Sequence, residues 1–308
     1  MRARLPAPDR PNRSPRHMAL RGLAVAGICL GVSTQTALAN PTNGDLLTGF
    51  NLITNGNFTT TSESEGPLLI GGNMSGSGTV MNKGLPQPSS LSGYGSINVY
   101  GNTSGASYNA NNLTVDVRTG NQGAGFSGAA SVNYGYAFPY AFSSICAQVT
   151  QLSSGLASLA TTAGSSLSGG TFTAGSATVN GVSNVAVLNI TGSQLLSVGS
   201  APTVNLGSAQ LLIINVDTAG IGGSYTAGSG TNFNGQGYAG SVLWNFYNAA
   251  SLSFGVEFGG SVIAPNANVS NNAPIDGTLF ANSFTGNGEL HYRPLGATGR
   301  SAPPAQAS

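Results

Sequence analysis

Glu289 and His291 stand two residues apart in Gly288-Glu-Leu-His-Tyr292, a spacing that sends both side chains to one face of a strand. A carboxylate beside an imidazole can move a proton or help to hold a metal ion. A metal would need more ligands, and beyond residue 39 His291 is the sole histidine and Cys146 the sole cysteine. The pair is therefore expected to form the polar finish of the last strand. Glu63 and Glu65 repeat the spacing and could bind Ca2+ with nearby asparagines and carbonyls, but no Asp-rich loop accompanies them, so they are expected on the surface near the first strands. Gly228-Ser-Gly230 lacks the lysine and helix of a phosphate cradle, and no Gly-x-Ser-x-Gly elbow is present. No catalytic residue, cofactor-binding residue or metal ligand is assigned, and the expectation is a protein that is not an enzyme.

Binding needs less chemistry than turnover. Thr171 and Thr173, the run Thr59 to Thr61, and the Asn and Thr residues of later strands could form flat ladders that hydrogen-bond sugars, ice or a like surface. Tyr94, Tyr100, Tyr108, Tyr134, Tyr136 and Tyr140 cluster between the first strands and a helical segment. Exposed, such rings could stack on carbohydrate; the competing reading is a cap over the open end of a stack of strands. Cys146 reads as a buried helix residue rather than a reactive thiol.

The elements that must carry these groups are short and repetitive. Gly240-Ser-Val-Leu-Trp244, Gly260-Ser-Val-Ile-Ala264 and Gly277-Thr-Leu-Phe-Ala281 write one phrase three times, at spacings of 20 and 17 residues. One turn glycine and one buried strand per repeat is the pattern of a β-solenoid. Earlier phrases such as Phe50-Asn-Leu-Ile-Thr54, Pro67-Leu-Leu-Ile70, Ser96-Ile-Asn-Val-Tyr100 and Leu113-Thr-Val-Asp-Val117 fit further strands between Gly, Ser and Asn corners. From Pro139 to Ala163 the period changes: Phe142, Ile145, Cys146, Val149, Leu152, Leu156 and Leu159 recur at helical spacing, which predicts one amphipathic helix with an uncharged outer face. Leu211 to Ile214 is continuously apolar, as a strand is when buried on both sides, here between the solenoid interior and the helix.

Composition bounds the partners. Six arginines, an apolar run from Gly22 to Val32 and Ala37-Leu38-Ala39 make residues 1–39 read as a secretory signal cleaved before Asn40, with Met18 an alternative start. The apolar run is shorter than the ~20 residues a membrane span requires, so no span is expected once the signal is removed. Beyond it, Lys83, Arg118, Arg293 and Arg300 face eight acids, so the formal +1 of the whole chain becomes −4. Nucleic acid, which needs clustered cations, is excluded as a partner. Charged residues make up only 6% of the chain, against about 25% in ordinary globular domains, and hydroxyls and amides must provide solubility.

Taken in order, Phe50-Asn-Leu-Ile53, Glu65-Gly-Pro-Leu-Leu-Ile-Gly-Gly-Asn73, the helix, Leu243-Trp-Asn-Phe246, Gly260-Ser-Val-Ile-Ala-Pro265, Gly277-Thr-Leu-Phe-Ala281 and Gly288-Glu-Leu-His291 resemble the bacterial choice-of-anchor A domain. The segment from about Val185 to Ala281 is also similar to the solenoid of ice-binding proteins. These resemblances imply a mainly β fold, a right-handed parallel β-helix with one long α-helix packed alongside, over a single domain spanning residues 40–295. They also imply an exported bacterial surface protein, extracellular or at the cell surface. Its expected role is adhesion or matrix interaction with a glycan, matrix protein or solid surface; ice binding through a flat Thr/Asn face is the alternative and a carbohydrate-active enzyme the third. Residues 296–308 are expected to be a disordered tail without a sorting signal.

Overall fold

The computed structural model describes residues 41–79, 91–105, 107–120, 123–199, 202–228, 233 and 237–296. The expected signal segment and all but Gly296 of the expected tail lie outside them, as do Ser229 and Gly230. A short helix α1 (Asn43–Gly49) leads into β1 (Leu52–Thr54), β2 (Phe58–Thr60), β3 (Leu68–Ile70), β4 (Met74–Gly76), β5 (Gly78–Thr79), β6 (Ile97–Val99), β7 (Ser107–Asn109), β8 (Thr114–Val117), β9 (Gly125–Ser127) and β10 (Ser131–Tyr134). Helix α2 (Phe142–Ala157) follows, then β11 (Ser166–Ser168), β12 (Thr171–Thr173), β13 (Ala177–Val179), β14 (Val182–Thr191), α3 (Gly192–Leu196), β15 (Thr203–Asn205), β16 (Leu211–Asp217) and β17 (Ser224–Ala227). The chain continues through β18 (Val242–Asn245), β19 (Ser251–Phe254), β20 (Phe258–Gly259), β21 (Ser261–Asn271), β22 (Ile275–Asp276), β23 (Leu279–Gly286) and β24 (Leu290–His291).

Apart from the antiparallel hairpins β11–β12 and β13–β14, the strands stack in parallel, and each coil passes along three faces. The first face runs β10-β8-β6-β3-β1-β23-β21-β18-β16-β14-β13. Its central strands, such as β1, β3, β16 and β18, are buried on both sides. Leu52, Ile214, Trp244, Val262 and Leu279 point to the interior, whereas Ile53, Ile213, Leu243, Ile263 and Phe280 join Ile145, Val149, Leu152 and Leu156 of α2. Leu211 to Ile214 divides between the two clusters as its pattern predicts. The helix begins at Phe142 and ends at Ala157, so it is shorter at both ends than the apolar pattern from Pro139 to Ala163.

The Gly-[Ser/Thr] repeats lie inside the stack: β23 pairs with β21 on one side and with β1 on the other, Leu279 opposite Leu52. The chain starts in the middle, builds outward to β10, returns along α2 to the far end and builds inward until its last coils meet its first. The second and third repeats pair in step, Val262 with Leu279, but the first is displaced by two residues, Trp244 opposite Val262. A shift of two leaves every side chain on its own face, so the packing tolerates it. Gly260 has φ +113, and a Cβ there would stand 2.6 Å from Trp244 Nε1. The repeat glycine thus makes room for the largest interior side chain.

Candidate functional site

The second face is β17-β19-β21-β23-β2-β4, formed by the later halves of β21 and β23 as each bends away from the helix-covered face. Here burial alternates. Tyr225, Leu252, Val269, Phe284, Phe58 and Met74 form one inward row, all buried. Outward, in register, stand Thr226, Ser253, Ser270, Thr285, Thr59 and Ser75. A parallel row two residues earlier holds Ser224, Ser251, Asn268 and Ser283. Asn57 and Asn73 continue it, their carbonyls accepting from the Phe284 and Phe58 N–H groups. No element covers either row among the described residues, and neither carries a charge.

Parallel strands set the rungs ~4.8 Å apart, so six hydroxyls extend over ~24 Å, with the second row ~7 Å away along the strands. The second row is locked from within: Ser251 Oγ donates to Ser224 Oγ at 2.9 Å, and Ser283 Oγ and Asn282 Nδ2 both donate to Asn268 Oδ1, at 2.7 and 2.9 Å. Asn57 Oδ1 and Asn73 Oδ1 accept from the next rung's backbone N–H at 3.0 and 2.8 Å. In the hydroxyl row only Thr59 and Ser75 bond each other, at 2.8 Å. Thr226, Ser253, Ser270 and Thr285 form four consecutive rungs whose hydroxyls make no side-chain hydrogen bond among the described residues. The face is therefore a fixed lattice with a stripe of open donors and acceptors.

The threonines named from sequence separate. Thr59 belongs to this stripe, Thr60 is buried on the inward side, and Thr171 and Thr173 lie on β12 in another sheet, where Thr171 bonds Thr203 across 2.9 Å. The tyrosines separate as well. Tyr94 and Tyr100 stack with Phe138 beside the start of α2 and Tyr140 stacks on Tyr94, Tyr100 donating to the Tyr140 carbonyl at 2.8 Å. Tyr136 meets Phe138 edge-on, and its hydroxyl donates to the Gly93 carbonyl at 3.0 Å. Burial pushes Tyr94 up to about 12 and Tyr100 higher still. Tyr108 lies in the interior against Phe126, and Tyr134 alone is exposed at the stack's end. Neither a shared sugar platform nor a shared cap results. Cys146 is half-buried on α2, where its thiol donates to Asn55 Oδ1 at 2.9 Å and burial pushes it up to about 12. It stays neutral and unreactive.

Glu289 and His291 join a network on the third face, where β20, β22 and β24 pair in parallel. His291 Nδ1 lies 2.7 Å from Asp276 Oδ1, and its Nε2 lies 2.7 Å from Glu289 Oε2. With both nitrogens engaged, the imidazole has no lone pair for a metal, and no group of three His, Cys, Asp or Glu among the described residues has metal-holding geometry. The pair does stand on the last strand, β24, but that strand lies inside the stack. Leu290 bridges to Ser64, and Glu65 accepts from Tyr292 N–H at 3.1 Å and pairs with Arg293 at 3.0 Å, so the network sits where the last coils meet the first.

Burial opposes charge on His291, but its hydrogen bonds to Asp276 and Glu289 and the charges of Asp276 and Glu65 outweigh it and raise its pKa to about 9. Glu257 is raised to about 7, chiefly by burial and then by its hydrogen bond to Asp276 and that residue's charge, with His291 opposing. A proton on Glu257 supplies the donor that the buried Glu257 Oε1 and Asp276 Oδ2 otherwise lack. Linkage fixes the pH dependence. The stability from His291 is complete below its ordinary 6.5 and is lost as pH rises through 9; that from Glu257 is complete below 4.5 and is lost as pH rises through 7. The exposed Glu289 side discounts the total to on the order of 2 kcal/mol. The melting temperature should fall by several degrees between about pH 5 and pH 9.5, and His291→Gln should flatten the upper half of the fall. A melting temperature that climbs over this interval would refute the coupling.

Residues 43–292 match the family model described as "Putative Ice-binding-like adhesive domain", a span that includes all three faces, the helix and the acid network. The chain belongs to this family. The family description is that of an adhesive domain and names no enzymatic activity. A crystal structure titled as an ice binding protein from an Antarctic Biological Consortium aligns with 85% of this adhesive-domain chain and 94% of its own, at 16% identity and a TM-score of 0.35. No curated protein matches. No helix among the described residues is long and apolar enough to cross a membrane.

Sequence reasoning expected a hydroxyl ladder and named Thr59, but it did not single out Thr226, Ser253, Ser270, Thr285 or Ser75, because the stripe draws one outward residue from each of six separate strands. The signal was present in the alternation Ser224-Tyr-Thr226, Ser251-Leu-Ser253, Asn268-Val-Ser270, Ser283-Phe-Thr285 and Asn57-Phe-Thr59. Each is a polar-apolar-polar triplet.

Proposed function

We propose that this chain is an exported, non-enzymatic adhesive domain that docks its uncovered Ser/Thr/Asn face on an extended hydroxyl-rich surface, a polysaccharide in the first instance. The open hydroxyls of Thr226, Ser253, Ser270 and Thr285, held at one repeat distance on a rigid uncharged face, carry this reading. Each contact is weak, so affinity comes from many made at once, and the sheet has already borne the cost of ordering them. The choice-of-anchor A layout, with a right-handed solenoid and action at or outside the bacterial cell surface, belongs to the same proposal. No catalytic residue, metal or cofactor has a part in it.

Ice is the second reading, favoured by the single repeat distance of the row, which a crystalline surface can match over several rungs. Adsorption of the purified chain to insoluble polysaccharides, with thermal hysteresis measured in parallel, separates the two. Ser270→Lys with Thr285→Lys places two charges at the centre of the stripe without touching the inward row. Adsorption should fall at least about tenfold, with melting temperature nearly unchanged, because exposed substitutions of this kind move stability by about 0.5 kcal/mol or less. Undiminished adsorption by the folded variant would move the binding site elsewhere. Product release from the polysaccharides would overturn the non-enzymatic reading.

A further inference from the structure

A cleft of about 320 Å³ opens where β14 and β16 leave the helix-covered face, lined by Asn189, Thr191, Gln194, Asn215, Asp217 and Tyr247. Its volume falls at the lower end of the range for small-molecule sites. Helix α3 forms one wall. A capping box holds it, the Thr191 N–H and hydroxyl donating to Gln194 Oε1 at 2.8 and 3.2 Å, and Gly192 lets it close on Ile221, which a Cβ there would strike. Asn189 and Asn215, bonded to each other at 2.8 Å, complete the lining. Asp217 and Tyr247 precede the corners that lead to Ser224 and Ser251, so the cleft borders the β17 end of the hydroxyl-bearing face.

The cleft sets one ionised carboxylate beside one ring. Asp217 Oδ1 accepts from the Ala219 N–H at 2.9 Å and from Asn248 Nδ2 at 2.7 Å, and the Tyr247 hydroxyl also bonds this carboxylate. These donors, the Ala219 N–H first and then Asn248, hold Asp217 below the usual carboxylate range against the opposing effect of burial. The charge is thus fixed in position, and no cation answers it among the described residues: Arg293 pairs with Glu65, and His291 with Asp276 and Glu289. The Tyr247 ring stacks on no other ring among the described residues, and Gln194 Nε2 donates to none of them. An unpaired carboxylate and an unstacked ring attract a cationic group. A free amide donor beside the Asn189 side chain suits hydroxyls.

We infer that this cleft is a binding subsite for an amino sugar, whose protonated amine pairs with Asp217 beside the Tyr247 ring while its hydroxyls meet Gln194 and Asn189. A neutral sugar leaves the carboxylate unpaired, and a simple alkylamine leaves the amides unused. The −4 charge of residues 40–308 draws a polymer of such sugars toward the chain. The inference deepens the adhesive reading by naming the sugar class, a polysaccharide with free amines; it rests on that reading for the polymer and not for the single sugar.

Isothermal titration of the purified chain with methyl glucosaminide, methyl glucoside and n-butylamine tests the inference. Saturable binding of the glucosaminide is expected, at least about tenfold tighter than that of either comparison compound and weakening as salt rises. Asp217→Asn keeps an acceptor for the Ala219 N–H and removes the charge, so it should abolish this preference with circular dichroism unchanged. Should that variant misfold, chemical-shift changes in the unaltered chain decide the matter: on adding the glucosaminide they should centre on Gln194 and Tyr247, and changes confined elsewhere overturn the inference. Absence of binding, binding no tighter than that of either comparison compound, or a preference that survives in the folded variant also overturns it. Lost adsorption to neutral polysaccharide with glucosaminide binding intact would bear on the hydroxyl-bearing face alone, so the two proposals fail separately.

Discussion

Replacing Trp244 with alanine should destabilise the fold by about 3–5 kcal/mol and lower the melting temperature by on the order of 10 °C. The indole is fully buried, and Phe172, Phe233, Phe246 and Phe258 surround it with centroid distances of 5.0 to 6.5 Å. These rings come from different coils and from the sheets on either side of the interior, so Trp244 joins coils that no backbone ladder joins directly. Its Nε1 donates to the Gly259 carbonyl at 2.9 Å, which leaves no polar atom of the ring unsatisfied. Alanine would remove the hydrogen bond and leave a cavity that rigid stacked strands cannot close. Trp244→Phe separates the two losses, since it keeps most of the packing and forfeits the bond, for about 1–2 kcal/mol. Urea denaturation of both variants checks the order. An alanine variant within about 1 kcal/mol of the parent would mean that the interior relaxes around the gap, against the close packing described above.

Much of this architecture was legible because it is local. Period-two alternation, the helical period from Phe142 onward and the continuous apolar run Leu211 to Ile214 each report which sides of an element are buried, and each can be read within a window of a few residues. The coil order could not be read in the same way. Nothing around Leu52 says that its neighbour is Leu279. That pairing is chosen because α2 carries the chain back across the stack and the last coil must cover an edge that the first left open. The acid network was illegible for the same reason. Glu257, Asp276 and His291 stand on successive coils, and only the stacking converts three scattered residues into a hydrogen-bonded series. Thr60 shows the limit of residue type as a guide: it was grouped with exposed threonines, but alternation turns it inward beside two outward neighbours. The repeat phrase misled by two residues at Gly240, because its turn is made by a short 3-10 segment, Ala239–Ser241, which resets the register of the following strand.

Asn215 controls whether one face or two are open to partners. On the helix-covered face Asn189, Asn215 and Asn245 stack in register, with Asn245 Nδ2 donating to Asn215 Oδ1 at 2.9 Å and Asn215 Nδ2 donating to Asn189 Oδ1 at 2.8 Å. Each also reaches the helix side: Asn245 Nδ2 donates to the Ser153 carbonyl at 2.8 Å, Asn215 to Leu156 at 2.7 Å and Asn189 to Leu159 at 2.8 Å. Three rungs thus hold three carbonyls three residues apart, where helix and exit turn would otherwise leave acceptors buried or exposed without donors. Asn215→Ala should cost about 2–4 kcal/mol, because it removes three bonds and strands a buried carbonyl and a buried amide. Asn215→Asp keeps the shape and the acceptor while losing the donor and burying a charge, so it should cost at least as much. Hydrogen exchange in the C-terminal half of α2 should accelerate in both variants well before the strands exchange. Unchanged helix exchange would show that apolar packing alone docks α2. Where the helix loosens, Leu211, Ile213, Leu243 and Ile263 become accessible as a continuous apolar stripe, and the variants should bind hydrophobic dyes and surfaces indiscriminately. In the proposed role, selective adhesion then depends on the asparagine ladder as much as on the hydroxyl stripe, because the ladder keeps the apolar face covered and leaves the hydroxyl-bearing one to meet the surface.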